Sequence, residues 1–415
     1  MIDRIAILGG SSVYIPEFIL SVISHNINVK EIVLQGTSER KLALVSRFCQ
    51  RLLDKSGFPA TVIPISEVGE AVKGAKYVLN HVRVGGLQAR LRDEKLPIKH
   101  GMVGDETLGA GGFANAMRTL PVVLEYAAEI ESVNPGAILI NLTNPMGICV
   151  EALLAYSKLN VIGVCDLPGT YVKKVAKIVR KEPEELQVDY IGLNHMGWIQ
   201  DVRVNGRSIM SRILEYIEKN RDDGFDSDLV EIFRMIPTRT VSLCFHQDAV
   251  LRRQKTCSRF RAEALYEAEQ QILDLYEDEH LTEVPELTRA RDAVWYEETI
   301  VPLIAALESR REEPIILCVR NEDAIRDLPE NCSVEVPVKV SKKGLKPVKV
   351  GNCPRFLKGL FASMKESDRL TVEAVRHKSK EYALQALTIN PLVPSLDAAK
   401  QFLQMVMREE QLELH

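Results

Sequence analysis

No two cysteines in this chain form a CxxC pair; the eight, at 49, 149, 165, 244, 257, 318, 332 and 353, are scattered singly. That spacing excludes a disulfide framework and predicts reduced thiols, as in a cytoplasm, with most of them packed in cores. Long apolar runs are missing too. The longest uncharged stretch, around Ser132 to Val150, contains Asn134, Pro135, Asn141, Thr143, Asn144 and Pro145 and is too polar to span a bilayer. Met1-Ile2-Asp3-Arg4-Ile5-Ala6 reads directly into a strand and leaves no room for a signal peptide, so a cytoplasmic location is expected. There is no basic excess: 53 Lys and Arg face 57 Asp and Glu, well mixed, for a net charge of −4. Nucleic acid and anionic membrane therefore lack a footprint, and small-molecule chemistry is the default. Repeats and low-complexity segments are absent.

What is present is alternation. Short β-branched runs at Ile5–Leu8, Glu31–Gln35, Thr61–Ile65, Tyr77–Val84, Ala137–Thr143 and Val161–Asp166 are separated by amphipathic stretches such as Glu39–Lys55 and Phe113–Ser132. Apolar strands joined by helices predict a doubly wound parallel sheet, a Rossmann-like dinucleotide-binding domain over residues 1–167. After Pro168 the pattern changes: a helix at Thr170–Arg180, a strand at Val188–Asn194, a polar strand pair around Val204-Asn205-Gly206, and helices at Arg261–Glu277 and Ala293–Glu308. A β-rich patch at Ser333–Val350 and helices at Arg355–Lys365, Thr371–Leu387 and Leu396–Glu413 close the chain. Residues 168–415 thus read as an α+β domain whose start supplies half of a site.

In 415 residues six groups of residues carry chemistry. Gly9-Gly10-Ser11-Ser12 follows the first strand, where small residues let backbone N–H groups approach a pyrophosphate; an ordinary strand-to-helix turn fits equally. The second strand ends at Gly36 without the carboxylate that usually holds a ribose, and Ser38, Arg40 and Lys41 suit a 2′-phosphate or simply a solvated helical turn. Arg83 and Arg90 suit an anionic substrate. The glycines at 104, 109, 111 and 112 imply a tight loop hugging a ligand or another backbone. Asn141 and Asn144 offer amides to hydroxyl groups or form a turn. Cys165 and His195, each ending a strand, either bind one divalent ion with water or substrate oxygens, or are packing residues.

Taken together, these segments resemble glycoside hydrolase family 4, which includes 6-phospho-α- and 6-phospho-β-glucosidases, α-galactosidases and α-glucuronidases. The resemblance runs from Gly-Gly-x-Ser-x-Tyr-x-Pro-Glu at Gly9 to Glu17, through Arg-x-Gly-Gly at Arg83 and Gly-x-Glu-Thr-x-Gly-x-Gly-Gly at Gly104. It continues in Asn-x-Thr-Asn-Pro, Gly-x-Cys-Asp-x-Pro, Gly-Leu-Asn-His and Asn390-Pro391-Leu392-Val393. It implies the lactate/malate dehydrogenase-like fold, a homodimer or homotetramer, and NAD or NADP with Mn²⁺ or another divalent metal. The implied reaction on a sugar or sugar-phosphate substrate, a 6-phosphorylated glycoside, is C3 oxidation, C1–C2 elimination, water addition and re-reduction. Carried over, Cys165 and His195 are metal ligands; Glu106, Asn144 and Arg261 touch substrate, with Arg83 and Arg90 for its phosphate. Asp166 is the acid on the leaving oxygen, and Gly9, Gly10, Ser11, Ser12, Gly36, Ser38 and Arg40 surround the cofactor.

The chain departs from that pattern in four places. Gly36 replaces an Asp, Asp105 a Gln, Thr240 the catalytic Tyr, and Asp292-Ala293 a Gly-Gly. A threonine hydroxyl is not a base near neutral pH without help. If the segment is helical, Cys244 lies one turn from Thr240; either Cys244 or His246 then takes over as base, or, the stronger reading, Cys244 is an ordinary buried cysteine. Two other readings stand beside the glycosidase: a sugar dehydrogenase that stops at the ketone, and a non-catalytic nucleotide or sugar-phosphate binder.

Overall fold

A computed structural model of the protein describes residues 1–221, 223–291 and 295–415. The first six strands are β1 (Ile2–Leu8), β2 (Val29–Gln35), β3 (Thr61–Ile65), β4 (Tyr77–Asn80), β5 (Ile138–Asn141) and β6 (Asn160–Gly163). All pair in parallel in the order β3-β2-β1-β4-β5-β6, that of dinucleotide-binding folds. Helices α1 (Ile15–Ser24), α2 (Glu39–Ser56), α3 (Val68–Val72), α4 (Gly86–Lys99), α5 (Gly109–Val133), α6 (Met146–Tyr156) and α7 (Leu167–Val179) intervene. All four residues of β4 are buried, as expected of a parallel strand covered on both faces.

The rest of the chain extends this sheet. Its strands are β7 (Gln187–Leu193), β8 (Met196–Val204), β9 (Arg207–Ser208), β10 (Ile236–Pro237), β11 (Glu313–Arg320), β12 (Ser333–Ser341) and β13 (Gly344–Pro347). Beyond β6 the order is β11-β12-β7-β8-β10, all antiparallel, with β13 on β12 and β9 on β8. The β8–β9 hairpin turns through Asn205 and Gly206, both at positive φ, as the Asn-Gly pair predicts.

Three strands end earlier than their apolar runs suggest, at Asn80, Asn141 and Gly163 rather than Val84, Thr143 and Asp166. Side chains capture the backbone there. Asn141 Nδ2 donates to Thr143 O at 3.2 Å, and Val82 N donates to Thr143 Oγ1 at 3.0 Å. Such local bonds compete with the ladder and peel the segments off the sheet. The peeled segments form one wall of a cleft beyond the carboxyl ends of the parallel strands.

The glycine-rich stretch is a loop only in part, since Gly109–Gly112 form the first turn of α5, four residues before the expected start. A Cβ at Gly104 would overlap the Glu94 carbonyl, and one at Gly111 the Asp93 carbonyl. These glycines therefore serve backbone-to-backbone packing of α4 against α5. Near the C-terminus, the helix expected at Arg355–Lys365 runs unbroken to His377. Its polar middle is held by Lys365, which reaches Glu151 and Asp368, and it stops only at the left-handed Lys378. Ser379 then caps Lys380–Ile389. Of the helix expected at Ala293–Glu308, positions 293 and 294 lie outside the described residues, as does the Asp292-Ala293 substitution; a π-turn at Tyr296–Ile300 leads into helix Val301–Glu308. Among the described residues no helix is long and apolar enough to cross a membrane.

Candidate active site

A cleft of about 710 Å³ opens at the carboxyl ends of β1, β4, β5 and β6. Gly9, Ser11, Ser12, Arg83, Arg90, Glu106, Asn144, Cys165, Asp166, His195, Thr240 and Arg261 all line it; Gly10, Gly36, Ser38 and Arg40 do not. Residues up to 250 positions apart in sequence are thus brought together around one volume, as expected at the switch point of a doubly wound sheet.

At one end, Gly9 has φ +87°, and a Cβ there would overlap the His81 carbonyl. Gly9 N and Gly10 N both donate to Gln35 O, at 3.0 and 2.6 Å, which folds the Gly9–Ser12 turn over the end of β2. A Cβ on Gly36 would stand 3.0 Å from Ser11 Oγ, so a side chain at the tip of β2 would have to displace Ser11. Arg40, expected at a 2′-phosphate, reaches Glu277 at 2.6 Å, and Lys41 reaches Glu269 at 2.8 Å. Both cations are already engaged, although the exposed Arg40 pair is worth little and is easily exchanged.

Along one side, Glu106 sits between two guanidiniums. It pairs with Arg83 and, at 3.0 Å, with Arg90, and accepts from Asn144 Nδ2 at 3.3 Å. Burial alone would raise its carboxyl, but Arg83 and Arg90 outweigh burial and hold it down to about 2. Arg90 also bonds Glu94 at 2.8 Å, and Glu94 accepts Ala262 N at 3.1 Å, which fixes the start of helix Arg261–Tyr276. Glu106 therefore contributes stability above its ordinary value of 4.5 and loses it as pH falls toward about 2. Glu106→Gln is expected to lower stability at pH 7 by on the order of 3 kcal/mol. In thermal melts the gap to wild type should close between pH 4.5 and 2; a pH-independent gap would show that charge is not the cause.

Sequence reasoning did not find the group next to the Gly9 turn. The buried Arg291 guanidinium stacks over Tyr14 at 4.5 Å and Trp295 at 3.9 Å, and lies 3.2 Å from His81 Nε2. Tyr296 Oη is 2.8 Å from His81 Nδ1. Burial, with Arg291 and Arg83 adding, pushes His81 well below its ordinary value, so the ring is neutral. Arg261 donates to the Arg291 carbonyl. Only the run around His81-Val82-Arg83 hinted at this cluster, because its partners lie more than 200 residues away.

At the other end, Cys165 follows β6, and Asn194-His195 form the two-residue turn between β7 and β8, His195 at φ +64°. Burial drives the Cys165 thiol well above its ordinary value, with Glu335 and Asp166 adding to the effect. Burial likewise lowers His195, and its Nδ1 has no hydrogen-bond partner among the described residues. An unpartnered buried ring nitrogen beside a cleft-lining thiol fits a divalent cation, whose charge would favour the thiolate. Among the described residues no group of three or more His, Cys, Asp or Glu side chains converges as ligands, so the remaining positions would fall to water or substrate. Asn194 supports the pair: its amide bonds the thiol and donates to Glu335 Oε1 at 3.1 Å.

The expected substitutes for the missing Tyr are elsewhere. Arg239–Val241 form a 3-10 turn, and a separate helix starts at Ser242, so the spacing from Thr240 to Cys244 does not place them on one helix face. Neither Cys244 nor His246 lines the cleft. Burial pushes the Cys244 thiol up to about 12, and His246 pairs with Asp226 at 3.0 Å. Thr240 Oγ1 donates to the His195 carbonyl, committing its proton to the turn that holds the imidazole.

Comparison with known proteins matches this arrangement along the whole chain. A probable 6-phospho-beta-glucosidase of Bacillus subtilis (strain 168) is 33% identical over 99% of this chain and 96% of its own length. The structure of the 6-phospho-beta glucosidase from Thermotoga maritima with manganese, NAD+ and glucose-6-phosphate superposes with a TM-score of 0.92 at 29% identity, covering 100% of both chains. Malate dehydrogenase from Cryptosporidium parvum, at TM-score 0.54, 14% identity and coverage of 91% and 99%, shares the fold alone. Residues 4–181 match the family 4 glycosyl hydrolases and residues 190–393 their C-terminal domain, so the chain belongs to family 4 of the glycosyl hydrolases.

Proposed function

We propose that this protein hydrolyses glycosides of 6-phosphorylated glucose by a redox route that uses a nicotinamide dinucleotide and a divalent cation, Mn²⁺. The observation that carries this reading is that one cleft holds both the Gly9–Ser12 turn and the Cys165–His195 pair, whose Nδ1 is unpartnered. The Thermotoga maritima relative with manganese, NAD+ and glucose-6-phosphate supports it. When bound, the cofactor supplies a reversible hydride acceptor and the cation polarises the resulting ketone.

The protein's own side chains do the rest. Cys165 and His195 hold the cation; Glu106 and Asn144 accept and donate hydrogen bonds to sugar hydroxyls; Arg83, Arg90 and Arg261 supply positive charge for the phosphate. Asp166, at the start of α7, holds the proton for the leaving oxygen. Residues 1–167 hold the cofactor and residues 168–415 complete the substrate and metal site, in a cytoplasmic homodimer or homotetramer. A sugar dehydrogenase that stops at the ketone is the second reading, favoured by the commitment of the Thr240 hydroxyl to His195.

A panel of nitrophenyl α- and β-glucosides, phosphorylated at C6 or not, with NAD⁺ or NADP⁺ and Mn²⁺, tests the proposal. Nitrophenol release only from phosphorylated substrates, and only with both additions, is expected. Reduced nicotinamide accumulating without nitrophenol would establish the dehydrogenase instead.

A further inference from the structure

The cleft contains a carboxylate whose job the arrangement above leaves open. Asp105 lines it, directly before Glu106 in the chain. Its Oδ1 accepts Thr107 N at 2.8 Å and Leu108 N at 2.9 Å, which locks the carboxyl plane onto the turn that opens α5. No hydrogen bond or ion pair among the described residues engages Oδ2. Of the charged groups around the His195 ring, Asp105 acts on it most strongly, ahead of Asp166 and Glu106.

The other basic groups of the cleft are occupied. Glu106 is held by Arg83 and Arg90, Glu94 by Arg90 and Ala262 N, and Glu269 by Lys41. His81 is wedged between Arg291 and Tyr296, and the Thr240 hydroxyl donates its hydrogen bond to the His195 carbonyl. Asp166 has the opposite task, delivering a proton. A third metal ligand is the obvious alternative role for Asp105, but Cys165 and His195 gather no third acidic ligand among the described residues.

We infer that Asp105 is the base that removes the proton from C2 of the 3-keto sugar, an inference that rests on the redox reading proposed above. Carboxylates do this work on carbons next to a ketone, whereas an aliphatic hydroxyl needs a partner to take its proton. Asp105 Oδ2 takes the C2 hydrogen as a proton, the C–H pair becomes the C2=C3 bond, and the carbonyl pair moves onto O3. The O3 pair then re-forms C3=O, the C2=C3 pair shifts to C1=C2, and the C1–O bond breaks with its pair on the leaving oxygen, which takes the proton of Asp166. Water then adds its oxygen to C1 and gives its proton to the Asp166 carboxylate, while Asp105, its proton exchanged with solvent, protonates C2. The hydride removed from C3 beforehand is held by the nicotinamide and returned at the end.

The test is cleavage of a nitrophenyl 6-phosphoglucoside in D₂O by the enzyme loaded with Mn²⁺ and NAD⁺, with deuterium at C2 of the released glucose 6-phosphate read by NMR. Wild type should incorporate deuterium. Asp105→Asn keeps the Oδ1 bonds and should lose exchange and cleavage on the order of 10²- to 10⁴-fold, while Mn²⁺ and NAD⁺ titrations of the variant stay unchanged. Asp105→Ala should regain exchange with added formate. Wild-type exchange rates in Asp105→Asn, or loss of exchange in Tyr266→Phe at the other cleft-lining side chain that could serve as base, would overturn the assignment and leave the redox reading intact. Mn²⁺ affinity falling roughly tenfold or more in Asp105→Asn would make it a metal ligand and overturn it as well. A wild type that forms neither reduced nicotinamide nor nitrophenol would remove both proposals.

Discussion

Removing divalent cations with a chelator is expected to lower glycoside cleavage on the order of 10³-fold or more, and Mn²⁺ to restore it. The argument is electrostatic. Desolvation outweighs the neighbouring charges at both groups, so in the metal-free protein the Cys165 thiol keeps its proton and the His195 imidazole is neutral. Neither group can then stabilise the negative charge that develops on a sugar ketone, and only a cation held between them does so. Because the fold has already accommodated both groups in neutral form, the stripped protein should keep its circular dichroism spectrum while losing turnover. Cys165→Ser replaces the soft ligand with a hydroxyl that does not ionise. It should raise the Mn²⁺ concentration for half-activity by at least the 10- to 100-fold seen for lost outer-shell partners. Full activity of a chelator-stripped sample would refute the metal site.

These expectations could be written from sequence because the chemistry-bearing residues cluster just after apolar runs. Cys165 and His195 end runs that read as strands, and the sheet brings those ends to one cleft. The six parallel strands were legible for the same reason: each is a short apolar run, and all but the edge strand β3 are largely buried. What misled was where each run stops. Val82 is apolar enough to continue a strand, but Thr143 Oγ1 takes both its N–H and its carbonyl instead. The His81–Arg291–Tyr14–Trp295 group was invisible because stacking across 210 or more residues leaves no local periodicity. Cys244 failed as a substitute base because the four-residue spacing assumed one helix where a 3-10 turn and a new helix meet.

Lys365→Met is expected to destabilise the protein by about 3–5 kcal/mol, although Lys365 lines no part of the cleft. The ammonium is 1% exposed, 3.1 Å from Glu151 Oε2, 2.8 Å from Ser333 Oγ and 3.4 Å from Asp368. Burial alone would pull it down, but Glu151 and Asp368 carry it above its ordinary value, so it is charged. Glu151 Oε2 also accepts Ser333 N at 2.7 Å, tying α6 to β12 and to the helix Arg355–His377. Removing the ammonium leaves the Glu151 carboxylate, itself 4% exposed, with only the long 3.8 Å contact to the half-buried Arg369. Urea unfolding should show a lower midpoint with the slope unchanged. The double variant Lys365→Met, Glu151→Leu should recover most of the loss, because a buried pair contributes little beyond what well-packed apolar residues supply, while half a pair is costly. The site is also expected to register the change. Helix α6 begins at Met146, two residues after Asn144, and Asn144 donates to Glu106. Loosening α6 should therefore raise KM more than it lowers kcat, since Glu106 and Asn144 bind rather than react. A loss below about 1 kcal/mol for the single variant would mean that Glu151 finds another partner or takes up a proton.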